Sequence, residues 1–568
     1  MIGNCTLSKY FNKTFLWKLS FIFSTVFIAI YVNLHYNIAR SPDFEYYSSY
    51  LLYFFGESEI TTREQGLIYF FLVSFFTKIL LFDFGLHGYE LVINNGVLFT
   101  NCFLYLIGLF GLYKLLKLKK YKAQEIFFAF TVMNFFPQTI NMLLTMKPEI
   151  IVFSFLPWSL YCIYSFIEKK EFLFLYLALF PNLIIFSSKM SLIAGVGLIY
   201  FFILVRHWKK FNNKQVRNFI ILGLLIYPLI YFENFIYNGR HIFDHPSRVE
   251  YNDILDFQFL INVNLNQLIT NPFRNIHANS FLGIIMLDTF GDYFQTYAYH
   301  DNSLFSFSRG SLSRFWIISY WPQFLSIVLT LFLYFYIFFI GNKNKENNLF
   351  YKLPFIGFSV LIISSLGFPE PNFNANLGDT FKGHYYSYLI VITFAFVVVS
   401  IAKRYKKLKI YILIVFIFLF GNLYGFVKED VDSYQRALNL RNSYSTTCSF
   451  NALLVRSLDS KDCNSNLIRI CKFDNLLINK NNFTNELNSY FEIDEYLPQQ
   501  TLKKGSSSIV PRSTKECLSF VGEMYRYEHF LQNKLVIPKI NLLYFVIAIY
   551  SMLRVLFKNN YLFNYKKL

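Results

Sequence analysis

Charge is what this sequence has least of. Only 15% of its 568 residues are Asp, Glu, Lys or Arg, where a soluble chain carries about a quarter. That excludes a soluble enzyme, a disordered scaffold and a coiled coil. Acidic residues are the scarcer sign, 35 against 53 basic, giving a net charge of +18. No basic domain with interleaved base-stacking aromatics stands apart, so the excess does not indicate nucleic acid. No Cys/His spacing resembles a zinc site. No internal repeat is visible, and few charges lie inside the apolar segments, which argues against an ordinary secondary transporter. The first apolar run, from about Phe15 to Val32, is not followed by a small-residue cleavage site, so it reads as a retained helix and not a signal peptide.

What is present in quantity is apolar and aromatic: 55% hydrophobic residues, with 71 Phe and 43 Tyr. Apolar stretches close to the length a bilayer crossing needs recur along the chain. After the first they fall at about 67–82, 91–113, 125–145, 150–167, 172–187, 190–205, 218–237, 316–341, 350–367, 385–402, 410–427 and 539–557. Lys and Arg gather between them in short runs: Lys117 to Lys122, Lys169/Lys170, Arg206 to Arg217, Lys343/Lys345 and Arg404 to Lys409. Short cytoplasmic loops hold such runs. If every segment crosses, these runs fall outside; if 67–82 does not, all fall inside. The expectation is therefore an all-α polytopic membrane protein with about twelve transmembrane helices and both termini cytoplasmic. Residues 36–90 form an outer loop with juxtamembrane helices. The Phe/Lys/Asn/Tyr richness points to an AT-rich genome and leans toward a bacterial cytoplasmic membrane.

On that topology the long polar pieces (36–90, 238–315, 368–384 and 428–537) share the extracytoplasmic side, where loops on a rigid scaffold carry the chemistry. Residues 1–427 make the transmembrane domain. Residues 428–537, rich in Asn, Ser and charge, make a small mixed α/β domain, and 538–568 the last helix and a cytoplasmic tail. The 428–537 piece holds Cys448, Cys463, Cys471 and Cys517. Outside the cytoplasm these are expected to pair, with three connectivities open and free buried thiols as the other reading.

Several polar motifs interrupt the apolar background. Asp43 and Glu45 form a D-x-E directly after the first helix. Such a pair can hold a divalent cation, Mg²⁺ or Mn²⁺, or divide the work of general base and orienting group; a solvated helix start is the alternative. Arg63 and Glu64 precede the segment at 67–82. Lys147-Pro148-Glu149 sits between two apolar segments, where Lys can also snorkel. Lys382, His384 and Tyr385 enter a late segment from outside, against the positive-inside trend, as an anionic ligand or lipid headgroups would explain. In the long loop, Asp288 and Asp292 bracket a Gly turn among aromatics suited to sugar rings. His241, Asp244 and His245 read as a turn before a metal site.

An acid just after helix one, a long first outer loop, a basic–acidic pair in mid-chain and a late basic-Tyr entry together resemble the GT-C superfamily of membrane glycosyltransferases. That superfamily includes protein O-mannosyltransferases and lipid A aminoarabinose transferases. The resemblance covers roughly residues 1–427 and lies in organisation; the prolines common at the position of Glu64 to Leu67 are absent. It implies a sugar moved from a polyprenyl-phosphate-linked donor to a glycan, lipid or protein acceptor, within the membrane and on its outer face. Asp43 corresponds to the catalytic acid, Glu45 to its partner, and Lys382-Gly383-His384-Tyr385 to the stretch facing the donor phosphate, with Arg63 as a further cation. The rivals are an envelope polysaccharide polymerase or ligase, a lipid-linked glycan flippase, and an anchoring protein for the 428–537 domain.

Overall fold

The computed structural model describes residues 13–35, 65–84, 89–188, 190–211, 214–238, 260–270, 280–290, 324–341, 348–367, 387–419 and 535–564, with Tyr47, Tyr50, Leu51, Tyr53, Phe54, Pro272 and His277 between them. Among these residues the fold is helical. The main helices are α1 (Lys13–His35), α2 (Leu67–Phe84), α3 (Tyr89–Leu118), α4 (Ala123–Asn134), α5 (Pro137–Leu144), α6 (Ile150–Lys169), α7 (Leu173–Ser188), α8 (Met190–Arg206) and α9 (Lys214–Asn238). Then follow α10 (Phe281–Asp288), α11 (324–341, its last turn widened to π geometry), α12 (Asn348–Gly367), α13 (Ser387–Arg404), α14 (Leu408–Leu419) and α15 (Lys539–Asn564). Among the described residues four helices are long and apolar enough to cross a membrane: Asn95–Leu118, Ile150–Lys169, Val216–Tyr237 and Lys539–Leu556. The domain at 428–537 falls outside the described residues except for its last three, and so do its four cysteines. Cys102 and Cys162, inside helices, are free thiols.

The lysine-rich loops meet at one end of the bundle. Lys119 Nζ stands 3.9 Å above the Tyr164 ring and 4.0 Å from Glu168. Lys210 Nζ caps the Ile167 carbonyl at 2.7 Å, a cation at a helix C-terminus where the backbone dipole favours it. Lys409 reaches Trp17 and Phe128, and Lys403 reaches Tyr121. The His207 imidazole is held below its ordinary pKa by burial first and then by Arg206, Lys210 and Lys119. Two connections here end on lysines in the left-handed region, Lys120 (φ 62°) and Lys170 (φ 58°).

Helix directions follow from these anchors. α1 and α4 run side by side away from the basic end: Trp17 packs on Phe128, and the Asn134 amide donates to Ser24 and Thr25 at 2.8 Å. The chain therefore leaves α1 at the opposite end. α3 descends to the basic end, and Asn101 lies 17 residues before Leu118, about 26 Å of helix. α2 starts level with Asn101, because the Tyr69 hydroxyl donates to its side chain at 3.0 Å. Farther along α2, Thr77 faces Gly96, so α2 climbs away from the basic end.

Two segments differ from the sequence reading. The run at 125–145, read as one span, is two helices separated at Phe135-Phe136. Pro137 has no N–H to continue α4 and pushes Phe136 out of helical geometry. Part of the polar stretch 238–315, read as an outer loop, enters the bundle. α10 is buried, with the Ser280 hydroxyl capping it through the Gly283 N–H at 3.0 Å. Phe290, just after it, joins Phe136, Phe394 and Phe416, with centroids 5.1–6.0 Å from its own. α10 is apolar but short, so its eight residues do not register as a span.

Candidate functional site

At the end opposite the lysine loops, several helix ends enclose a charged pair that the bundle has almost removed from solvent. Lys147 and Glu149 are 4% and 3% exposed. The turn from α5 to α6 that carries them is held by main-chain contacts. The Asn101 amide donates to the carbonyls of Leu143 and Thr145, each at 2.9 Å, and the Lys147 N–H donates to the Tyr69 hydroxyl at 3.0 Å. Tyr69 thus accepts from one element and donates to Asn101 on another. The Glu149 carboxylate lies within coulombic reach of the Tyr69 and Tyr388 hydroxyls. Burying a charge costs several kcal/mol unless polar groups compensate.

The floor of this cluster is set by Gly66. Its N–H donates to the Ser188 carbonyl at the end of α7, and a Cβ there would collide with Ser187 O and come within 2.6 Å of Ser188 Cα. Only glycine lets α2 begin this close to α7. Gly66→Ala is expected to destabilise the protein by about 1–3 kcal/mol, as overpacking does, and to displace Tyr69 from Lys147. Thermal denaturation in detergent measures the first effect; an unchanged melting temperature would refute the close approach.

The sequence-predicted residues fall into three groups. Lys147 and Glu149 are brought together in this cluster. Asp288 is also buried (1% exposed), but in the interior, where its carbonyl accepts the Gln138 side-chain amide at the start of α5. It does not join Lys147, which follows the other end of that helix. Asp43, Glu45, Arg63, Glu64, Asp292, Lys382, His384 and Tyr385 lie outside the described residues, as do His241, Asp244 and His245. Two of their motifs are nonetheless bracketed. Tyr47, four residues after Asp43, and Tyr50 pack on Phe70 at centroid distances of 5.2 and 4.3 Å, and the Gln65 N–H donates to the Tyr50 hydroxyl at 3.1 Å. Tyr388, beside Glu149, comes three residues after Tyr385.

Sequence reasoning missed Tyr69, Asn101 and Tyr388. Each is a lone polar group in an apolar run, and its only signal is that a buried Tyr or Asn must find a partner. A second polar group joins α9 to α15: Glu233 accepts the N–H groups of Ile540 (2.9 Å) and Asn541 (2.6 Å) and the Asn541 side-chain amide (2.8 Å). Among the described residues no group of three His, Cys, Asp or Glu is placed to hold a metal ion. Comparison with family models, curated proteins and solved structures finds no match.

Proposed function

We propose that this chain is a multi-pass membrane glycosyltransferase of GT-C type that moves a sugar from a polyprenyl-phosphate-linked donor to an envelope acceptor. The observation that carries the reading is the convergence at Glu149. The first loop reaches it through Tyr47, Tyr50 and α2, the mid-chain pair supplies it, and the late motif arrives through Tyr388. Tyr47, which follows Asp43 by four residues in the sequence, packs on Phe70 beside this cluster. The lysine loops at the other end favour a cytoplasmic basic end, which makes the Glu149 end extracytoplasmic.

The chemistry such a site performs is direct displacement. The acceptor hydroxyl attacks the anomeric carbon while Asp43 takes its proton. The bond from that carbon to the phosphate oxygen breaks, polyprenyl phosphate leaves with the electron pair, and the anomeric configuration inverts. Lys382 and Arg63 stabilise the charge growing on the phosphate. A divalent ion, if the enzyme uses one, would sit on Asp43 and Glu45. The test is turnover of radiolabelled lipid-linked sugar by membranes bearing wild type and Asp43→Asn.

The same reading fixes the role of α2. Its climb away from the basic end supports an outer juxtamembrane helix that does not cross. Cysteines placed at Asp83 and His87 are expected to react with an impermeant maleimide added outside intact cells. Labelling only from the cytoplasm would reject the twelve-helix topology.

One observation favours a second reading, a lipid-linked glycan flippase. Asp288 is a carboxyl inside the bundle, and an ionisable group there commonly marks a transport path. A flippase moves lipid-linked glycan with Asp43→Asn unimpaired and forms no glycosidic bond.

A further inference from the structure

On the surface of the bundle, α11 and α12 leave an apolar groove between them. Its volume is about 610 Å³, and it is lined by Leu331, Phe332, Tyr334, Phe335 and Phe338 of α11 and by Phe355 of α12. Phe332, Phe335 and Phe338 are each more than half exposed. Tyr334 turns inward, its ring 5.9 Å from Phe355 and 5.7 Å from Phe358, and its hydroxyl 3.4 Å from that of Thr289. Two departures from regular helix lie at this level, the π turn Ile337–Gly341 and Pro354 inside α12, and both redirect a helix locally. Aromatic walls have few rotatable bonds, so the groove is preformed and an occupant loses little in ordering it.

The groove lies toward the basic end. α12 starts there: Phe350 stands 5.9 Å from Lys119 Nζ, and the Tyr351 hydroxyl is 2.7 Å from that of Ser400, one turn before Arg404. α11 runs the opposite way, since Tyr336 meets Tyr351 while Tyr334 meets Phe358. Leu331 comes ten residues before Gly341 at the end of α11, about 15 Å of helix. That is about half of a hydrocarbon core ~30 Å thick. The groove therefore faces the acyl chains of one leaflet, the one whose headgroups meet the lysine loops.

Charge is placed to match. Lys352 is the single charged residue of α11 and α12. It is exposed and precedes Phe355 by three residues, so the two share a face of α12. Side chains on a helix tilt toward its N-terminus, which for α12 is the basic end. Snorkelling would suit a lysine on any face of the helix; this one stands on the face that lines the groove.

We propose that the groove holds an acyl chain of an anionic phospholipid from the leaflet at the basic end, with Lys352 facing its headgroup. Basic positions between helices at the membrane surface recognise such lipids by charge. A zwitterionic lipid covers the same apolar walls but brings no net charge to the lysine. The inference stands on the groove and Lys352 and does not depend on the transferase reading.

The experiment melts the purified full chain in a neutral detergent with increasing dioleoyl phosphatidylglycerol or dioleoyl phosphatidylcholine, and native mass spectrometry measures the lipid retained. Wild type is expected to gain melting temperature saturably with phosphatidylglycerol, as a ligand of the native state does, and to need about tenfold more phosphatidylcholine. Lys352→Glu is expected to raise the half-saturating phosphatidylglycerol concentration by about tenfold or more, since an attraction becomes a repulsion. Lys169→Glu makes the same change of charge at the same end, on a side chain that packs on Phe174 of α7 at 5.3 Å. It should shift half-saturation by no more than about twofold, as an exposed charge away from the site does. Leu331→Trp fills the groove with charge unchanged and should weaken binding by about tenfold. An equal response to both lipids would overturn the proposal. So would equal losses in Lys352→Glu and Lys169→Glu, which would mean diffuse attraction to the whole basic end. Should Lys352→Glu fail to fold, Leu331→Trp decides alone, and an unchanged half-saturation refutes the site.

Discussion

Asp43→Asn is expected to lower sugar transfer by roughly 10²- to 10⁴-fold, the usual loss when a general base is removed, while donor binding stays near wild type. Asn preserves the size of the side chain and its place after α1, but it cannot take a proton. Lys382→Ala should act differently. A cation on the donor phosphate serves both the bound state and the transition state, so affinity and turnover fall together. Glu45→Gln separates a metal site from a purely organic one: a loss that excess Mg²⁺ or Mn²⁺ restores assigns the pair to a cation. Turnover of labelled donor, with donor affinity measured separately, distinguishes these patterns. Near-normal transfer by a well-folded Asp43→Asn would remove the residue on which the transferase reading depends, and the flippase and anchoring readings would rise in its place.

The legible and illegible parts of this protein divide along physical lines. Apolar runs announce helices, because a chain in an apolar surrounding must satisfy its own backbone, and α1, α3, α6, α7, α8, α9 and α12 lie where those runs lie. The charge distribution was legible too, with Lys119, Lys210, Lys403 and Lys409 gathered at one end. Depth was not. α10 is only eight residues long, yet it is buried against α11 and the α4–α5 break, because its neighbours satisfy its ends. Hydropathy sums a window and has no means of registering a short helix covered by protein. The α4–α5 break was visible as Pro137 but counts for little in a window average. Within the cluster, Lys147 and Glu149 stood out because charge is rare in apolar sequence. Tyr69 and Tyr388 did not, since 43 tyrosines make any one of them unremarked. The partners of Tyr69, Asn101 and the Lys147 N–H, come from elements distant in sequence, and only the packing pairs them.

The largest stability effect is expected at Glu233. Its carboxylate accepts three hydrogen bonds from the first turn of α15, two from main-chain N–H groups and one from the Asn541 side chain. The N-terminus of a helix carries positive potential and unsatisfied donors, so a carboxylate there is well matched. Glu233 is 5% exposed and Asn541 fully buried, so no water replaces the lost partner. Glu233→Leu strands the two main-chain donors, while the Asn541 amide keeps Asn234 Oδ1 at 2.7 Å, and is expected to cost about 3–5 kcal/mol, as breaking a buried charged contact does. Glu233→Gln keeps the shape and one acceptor, and should cost less, about 1–2 kcal/mol. The revealing comparison is the pair Glu233→Leu with Asn541→Leu. Removing both side chains relieves the side-chain part of the penalty, so the double variant should be more stable than the sum of the singles indicates. Thermal denaturation of the four proteins in one detergent reads this coupling. Strict additivity would mean that the two side chains act separately.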